Sequence, residues 1–110
     1  MVDEKTIRQA ANLLVNSTPP DSRVILFGSR ARGGAGPNSD IDFLVVEPEV
    51  KDRVAEMVRL RAVLHPLLRH YLIPVDIVVV SREQYRYWNS VPNNLYHEAA
   101  KDGRVYEQVA

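Results

Sequence analysis

Three aspartates stand where core strands should be apolar. Asp40 and Asp42 bracket Ile41 at the head of the run Ile41-Asp-Phe-Leu-Val-Val46, and Asp76 interrupts a second run, Val75-Asp-Ile-Val-Val-Val80. Side chains alternate along a strand, so Asp40 and Asp42 project from the same face. Both runs are apolar enough to lie inside a sheet and to be neighbours there. Buried carboxylates gathered in this way repel. At ~4 Å and an effective dielectric near 20, each pair costs about 4 kcal/mol. A small domain has a total stability of only about 5–15 kcal/mol, so the cluster needs protonation or a cation. An all-oxygen donor set suits a hard divalent ion, magnesium or manganese. The plainer reading is a turn aspartate at 40, with strand-end carboxylates at 42 and 76 that face solvent. Spacing alone does not separate the two readings.

A glycine turn adds a second kind of chemistry. Gly28-Ser29 follows the short apolar run Arg23-Val-Ile-Leu-Phe27 and leads into a stretch crowded with glycine and arginine, Arg30 to Pro37. A strand ending on glycine and opening a short helix offers free N–H groups to a phosphate. Glycine lets the backbone approach an anion closely, and the Ser29 hydroxyl adds a hydrogen bond. Arg30 and Arg32 could supply positive charge to a triphosphate, and the sequence does not say which of them faces it. By itself the stretch reads better as a glycine-rich surface loop with two solvated arginines. A P-loop is excluded: Gly28 and Gly33 have its glycine spacing, but Gly34-Ala35 replaces the lysine and hydroxyl pair.

Together, Gly28-Ser29, ten intervening residues and Asp40-Ile41-Asp42 resemble the signature of the nucleotidyltransferase superfamily related to DNA polymerase beta. The fuller strings Gly28-Ser-Arg-Ala-Arg-Gly33 and Ser39-Asp-Ile-Asp-Phe-Leu-Val-Val46 resemble the minimal nucleotidyltransferases (MNT), and Asp76 in its strand matches their third acid. The resemblance implies a polymerase beta-like fold and transfer of a nucleoside monophosphate, AMP from ATP, with release of pyrophosphate. By position, it implies that Asp40, Asp42 and Asp76 are catalytic and bind two magnesium ions, with manganese an alternative. Gly28, Ser29 and Arg30 or Arg32 would then bind the nucleotide. It further implies an antitoxin of an MNT/HEPN module that modifies a tyrosine of a partner HEPN-type toxin. Two other functions compete: a noncatalytic antitoxin that covers its partner, and a nucleotidyltransferase acting on RNA or a small molecule.

The elements that must hold these residues follow from pattern. Asp3 caps a first helix carrying Ile7, Ala10, Ala11, Leu14 and Val15, which Thr18-Pro19-Pro20 ends. Asn38-Ser39 has turn chemistry before the second strand. Pro48 suits the start of a long amphipathic helix with Val54, Met57, Val58, Leu64, Leu67 and Leu68, interrupted by Pro66 with a kink or break near His65 and reaching about His70. After the third strand, Ser81 and Gln84 form a capping box for a helix carrying Tyr85, Tyr87 and Trp88. These aromatics suit core packing or a partner surface better than base stacking. A last helix runs from about Leu95 to Lys101 and stops at Gly103. Helices alternating with strands give an α/β (α+β) fold, a mixed β-sheet flanked by helices. His65, His70 and His97 have no metal-binding spacing, and Arg53, Arg59, Arg61 and Arg69 suit a solvated helix side.

Length and composition set the bounds. The 110 residues fit a single domain, 1–110, which leaves little sequence for an acceptor-binding wall, so another protein or protomer is expected to supply it. Fourteen Lys+Arg balance fourteen Asp+Glu, which argues against a general DNA coater. The absence of cysteine excludes disulfides and thiolate metal sites. Neither a signal peptide nor a membrane span is legible, so the expectation is a soluble, cytoplasmic protein, its oligomeric state open.

Overall fold

Side-chain caps start most of the helices, and proline or glycine stops several of them. The computed structural model describes residues 3–33, 36, 39–71 and 73–108. The expected turn residue Asn38 lies outside these, as do Gly34, Ala35 and Pro37 of the glycine-rich stretch. Helix α1 (Glu4–Asn16) begins after Asp3, whose Oδ1 accepts from the Thr6 amide at 2.8 Å. Strand β1 (Arg23–Phe27) runs into the short helix α2 (Ser29–Arg32), and β2 (Ile41–Glu47) follows.

Helix α3 (Arg53–Leu68) departs from expectation in three ways. It starts after Asp52 rather than at Pro48, because Asp52 Oδ1 accepts from the Ala55 amide at 3.0 Å and supplies the cap. Pro66 neither breaks it nor marks its end. Placed in the last turn, a proline forfeits a single helical bond, and the helix stops two residues later. The buried stripe is Leu60, Leu64 and Leu68, while Val54 and Val58 are 66% and 61% exposed. Strand β3 (Val75–Ser81), α4 (Arg82–Trp88) and α5 (Leu95–Asp102) match the expected elements closely. Ser81 Oγ caps α4 by accepting from the Gln84 amide at 3.2 Å. Strand β4 (Arg104–Glu107) was not anticipated, since four residues of mixed polarity at a sheet edge carry little periodic signal.

The sheet is mixed, in the order β3-β2-β1-β4. β2 and β3 are parallel, joined by the α3 crossover, whereas β1 pairs antiparallel with both β2 and β4. Alternation then sorts the side chains. Val24, Leu26, Phe43, Val45, Ile77 and Val79 pack beneath α1 and α3. Ile25, Leu44, Val46 and Val80 pack with Tyr85 of α4 and Ala99 of α5 on the other face. Asp42 and Asp76, even-numbered in β2 and β3, therefore belong to the α4–α5 side. Among the described residues no helix is long and apolar enough to cross a membrane.

Candidate active site at the aspartate end of the sheet

Strand register assembles the site. In the parallel β2–β3 pair Asp42 lies directly opposite Asp76, and in the antiparallel β1–β2 pair Asp42 lies opposite Phe27. The chain leaving β1 thus brings Gly28 over the Asp42 carboxylate. A Cβ built on Gly28 would sit 2.5 Å from Asp42 Oδ2. Gly28 also adopts φ 77° and ψ −161°, a region essentially restricted to glycine. Its carbonyl accepts the first two bonds of α2, from the Ala31 and Arg32 amides at 3.1 and 3.3 Å. The Ser29 amide precedes those bonds and has no acceptor within the helix.

The three aspartates come together electrostatically, though not as a buried trio. Asp42 is half-buried, whereas Asp40 and Asp76 are exposed. The physical reason is position: Asp40 precedes the first residue of β2, and Asp76 is the second residue of the edge strand β3. Burial falls on one carboxyl rather than three. That carboxyl is pushed above its ordinary pKa by burial first, then by the charges of Asp76 and Asp40, a hydrogen bond with Asp76, and the charge of Glu98. The donors are all oxygen, and their crowding disfavours ionisation of Asp42, which suits a hard divalent cation. Among the described residues no three His, Asp or Glu side chains are gathered tightly enough to form a ready cage. The fit is therefore an adjacent pair, Asp42 and Asp76, with Asp40 on the open side.

The arginines are engaged within the chain. Arg30 donates from Nε and Nη2 to the Ser39 carbonyl at 2.9 and 2.7 Å, tying α2 to the residue before Asp40. Arg32 is ion-paired with Glu98 of α5. Arg61 of α3 places Nη2 3.9 Å from Asp76 Oδ1. Sequence reading missed Glu98 and the proximity of Arg61 to Asp76, because no local pattern links residues so far apart in the chain. The remaining candidates take structural places. His65 and His70 are exposed, and His97 Nδ1 lies 2.9 Å from the Asn89 carbonyl. Tyr85 is core, while Tyr87 and Trp88 are exposed and meet edge to face at 4.8 Å.

Residues 7–105 match the sequence profile of the nucleotidyltransferase domain. The chain belongs to that family. This nucleotidyltransferase is 29% identical over 106 residues to a Methanocaldococcus jannaschii protein named as a candidate protein adenylyltransferase, covering 96% of this chain and 98% of that one. A crystal structure of a toxin–antitoxin with AMP-PNP superposes with a TM-score of 0.61 at 25% identity, over 97% of this chain and 75% of that one. A crystal structure of the toxin–antitoxin MntA–HepT superposes with a TM-score of 0.59 at 21% identity, over 96% and 74%, and so shares the fold. The α/β architecture and the transferase class expected from the Gly-Ser and Asp-Ile-Asp strings are thus both found.

Proposed function

We propose that this nucleotidyltransferase moves AMP from ATP onto a hydroxyl of a partner protein, a tyrosine of a HEPN-type toxin, and that 1–110 acts as one domain in doing so. The observation that carries the reading is the pairing of Asp42 with Asp76 across β2 and β3, directly beneath Gly28. The likeness to a toxin–antitoxin structure holding AMP-PNP supports the nucleotide and the partner. The exposure of Asp40 and Asp76 supports an acceptor wall supplied from outside the chain.

In this reading Asp42 and Asp76 hold magnesium, or manganese in its place, with Asp40 completing the donor set and allowing a second ion. Bound there, the metal supplies positive charge to the triphosphate and lowers the pKa of the acceptor hydroxyl. Gly28 lets the backbone approach the phosphates, and the Ser29 hydroxyl and amide orient them. The acceptor oxygen attacks the α-phosphorus, the bond from that phosphorus to the bridging oxygen breaks, and pyrophosphate leaves. Asp76, the more exposed of the paired acids, accepts the acceptor's proton. Arg61 stands beside that carboxylate, its Nη2 3.9 Å from Asp76 Oδ1.

The test is incubation of the purified chain with α-labelled ATP, magnesium and its HEPN-type partner. Label is expected on the partner with the natural chain and absent with Asp42→Asn. Tight association without label would make the chain a steric antitoxin, and label on RNA would move the activity to another acceptor. Either result overturns the reading.

A further inference from the structure

A second cleft lies at the opposite end of the sheet, four residues along β2 from Asp42, or about 13 Å at the rise of a strand. It has a volume of about 470 Å³, within the range of small-molecule sites. Four separate segments build it: the start of β1 with Arg23, the end of β2 with Val46, the α4 side chains Arg82 and Arg86, and the end of β4 with Glu107. Three arginines, against two acids (Asp21 and Glu107), line this one cleft in a chain whose total charge is zero.

Two of the three are held in place. Arg23 pairs with Glu107 at 3.3 Å, and Arg82 donates from Nη2 to the Asp21 carbonyl at 3.2 Å. Asp21 is itself fixed in the left-handed region at φ 70°. Arg86, one helical turn beyond Arg82, has no hydrogen bond or ion pair among the described residues. Like charges four apart on a helix repel, and an anion between them relieves that repulsion. Tyr85 and Asn89 complete the wall. The Tyr85 side chain is buried, and its phenol, with an ordinary pKa near 10 that burial raises further, can donate a hydrogen bond at neutral pH. Guanidinium forks with a phenol beside them match the several oxygens of a phosphate.

We propose that this cleft binds a small phosphate-bearing anion at a site separate from the aspartate end of the sheet. The site does not depend on the transfer chemistry, and its test runs without metal. Amide and arginine side-chain NMR signals of the full chain are followed in EDTA during titration with inorganic phosphate, with AMP as a phosphomonoester, and with succinate as a dicarboxylate control. Saturating shifts at Arg23, Arg86 and Asn89 are expected with phosphate or AMP. They should weaken roughly tenfold or more in the double variant Arg82→Gln, Arg86→Gln, through loss of charge-assisted bonds. Phosphate alone, or AMP more tightly, would tell the free ion from the ester. If the double variant unfolds, Arg86→Gln, exposed and unpaired among the described residues, decides the matter. Shifts that grow linearly with salt, that succinate reproduces, that survive in the variants, or that fall only around Gly28 and Ser29 would overturn the proposal.

Discussion

Gly28 and Asp42 share one space: the position a Cβ would take on Gly28 lies 2.5 Å from Asp42 Oδ2. The turn between strand and helix and the carboxylate on the neighbouring strand are therefore one device. No side chain can be added at Gly28 unless the Asp42 carboxylate moves.

Gly28→Ala is expected to cost stability twice. The backbone at φ 77° and ψ −161° costs about 1–3 kcal/mol for a residue with a Cβ, and the new methyl displaces the Asp42 carboxylate. In an Asp42→Ala background the second cost disappears, so the two substitutions should couple by about 0.5–3 kcal/mol. Urea denaturation of the four proteins measures this. Strict additivity would mean that the carboxylate yields freely and that Gly28 serves the backbone alone. Transfer activity of Gly28→Ala should fall, because the displaced group is a proposed metal ligand.

Asp42→Asn removes charge from the most buried of the three acids. Without metal the variant should be at least as stable as the natural chain, since repulsion from Asp76 and Asp40 is relieved. With magnesium at about 100 times its Kd the natural chain should gain about 2.7 kcal/mol, and EDTA should reverse the gain. Thermal melts of both proteins, with and without the ion, test the pair. An equal magnesium response in Asp42→Asn would remove Asp42 from the metal site.

How much of this was legible depended on whether the signal was local. Asp3, Ser81 and Gly103 announce helix boundaries through their own chemistry, and the apolar runs after Arg23, Ile41 and Val75 announce strands. The Gly28-Ser29 and Asp40-Ile41-Asp42 strings could be placed for the same reason. Burial could not be read in this way. Asp40 and Asp76 looked internal from their apolar neighbours, yet a strand's first residues and a sheet's edge remain exposed whatever follows them. Val54 and Val58 fitted a helical period, but α3 meets the sheet along Leu60, Leu64 and Leu68 instead. Pairings such as Arg32 with Glu98 join α2 to α5 and exist only after the sheet has formed.

Stability should fall as pH rises from acid to mildly alkaline. Glu47, 4% exposed at the far end of β2, has its carboxyl pushed up to about 8 by burial, then by a hydrogen bond and charge repulsion from Glu56. No donor among the described residues reaches its Oε2. The folded state then holds a proton that the unfolded chain releases above the ordinary 4.5. Its contribution is full below about 4.5 and is lost as pH climbs toward 8. Glu56, held down to about 2 chiefly by its hydrogen bond with Arg59, works in the opposite sense and loses its contribution only as pH falls below 4.5. Glu47→Gln should therefore melt above the natural chain at pH 8 and converge with it near pH 5. Parallel melting profiles across that interval would assign Glu47 an ordinary carboxyl.

Arg30 tests whether the arginines near the site touch nucleotide or shape it. Its two bonds to the Ser39 carbonyl fix the approach to Asp40, a task that needs the guanidinium fork as well as its charge. Arg30→Lys and Arg30→Met should then behave alike, each losing roughly tenfold or more in kcat/KM, the scale of a charge-assisted bond. Both should also need more magnesium for half-maximal transfer, because Asp40 is no longer held. Were Arg30 instead to neutralise the triphosphate, lysine would restore most of the activity and the defect of Arg30→Met would lie in the KM for ATP. Steady-state kinetics at several magnesium concentrations separate these outcomes, and rescue by lysine would overturn the positioning role.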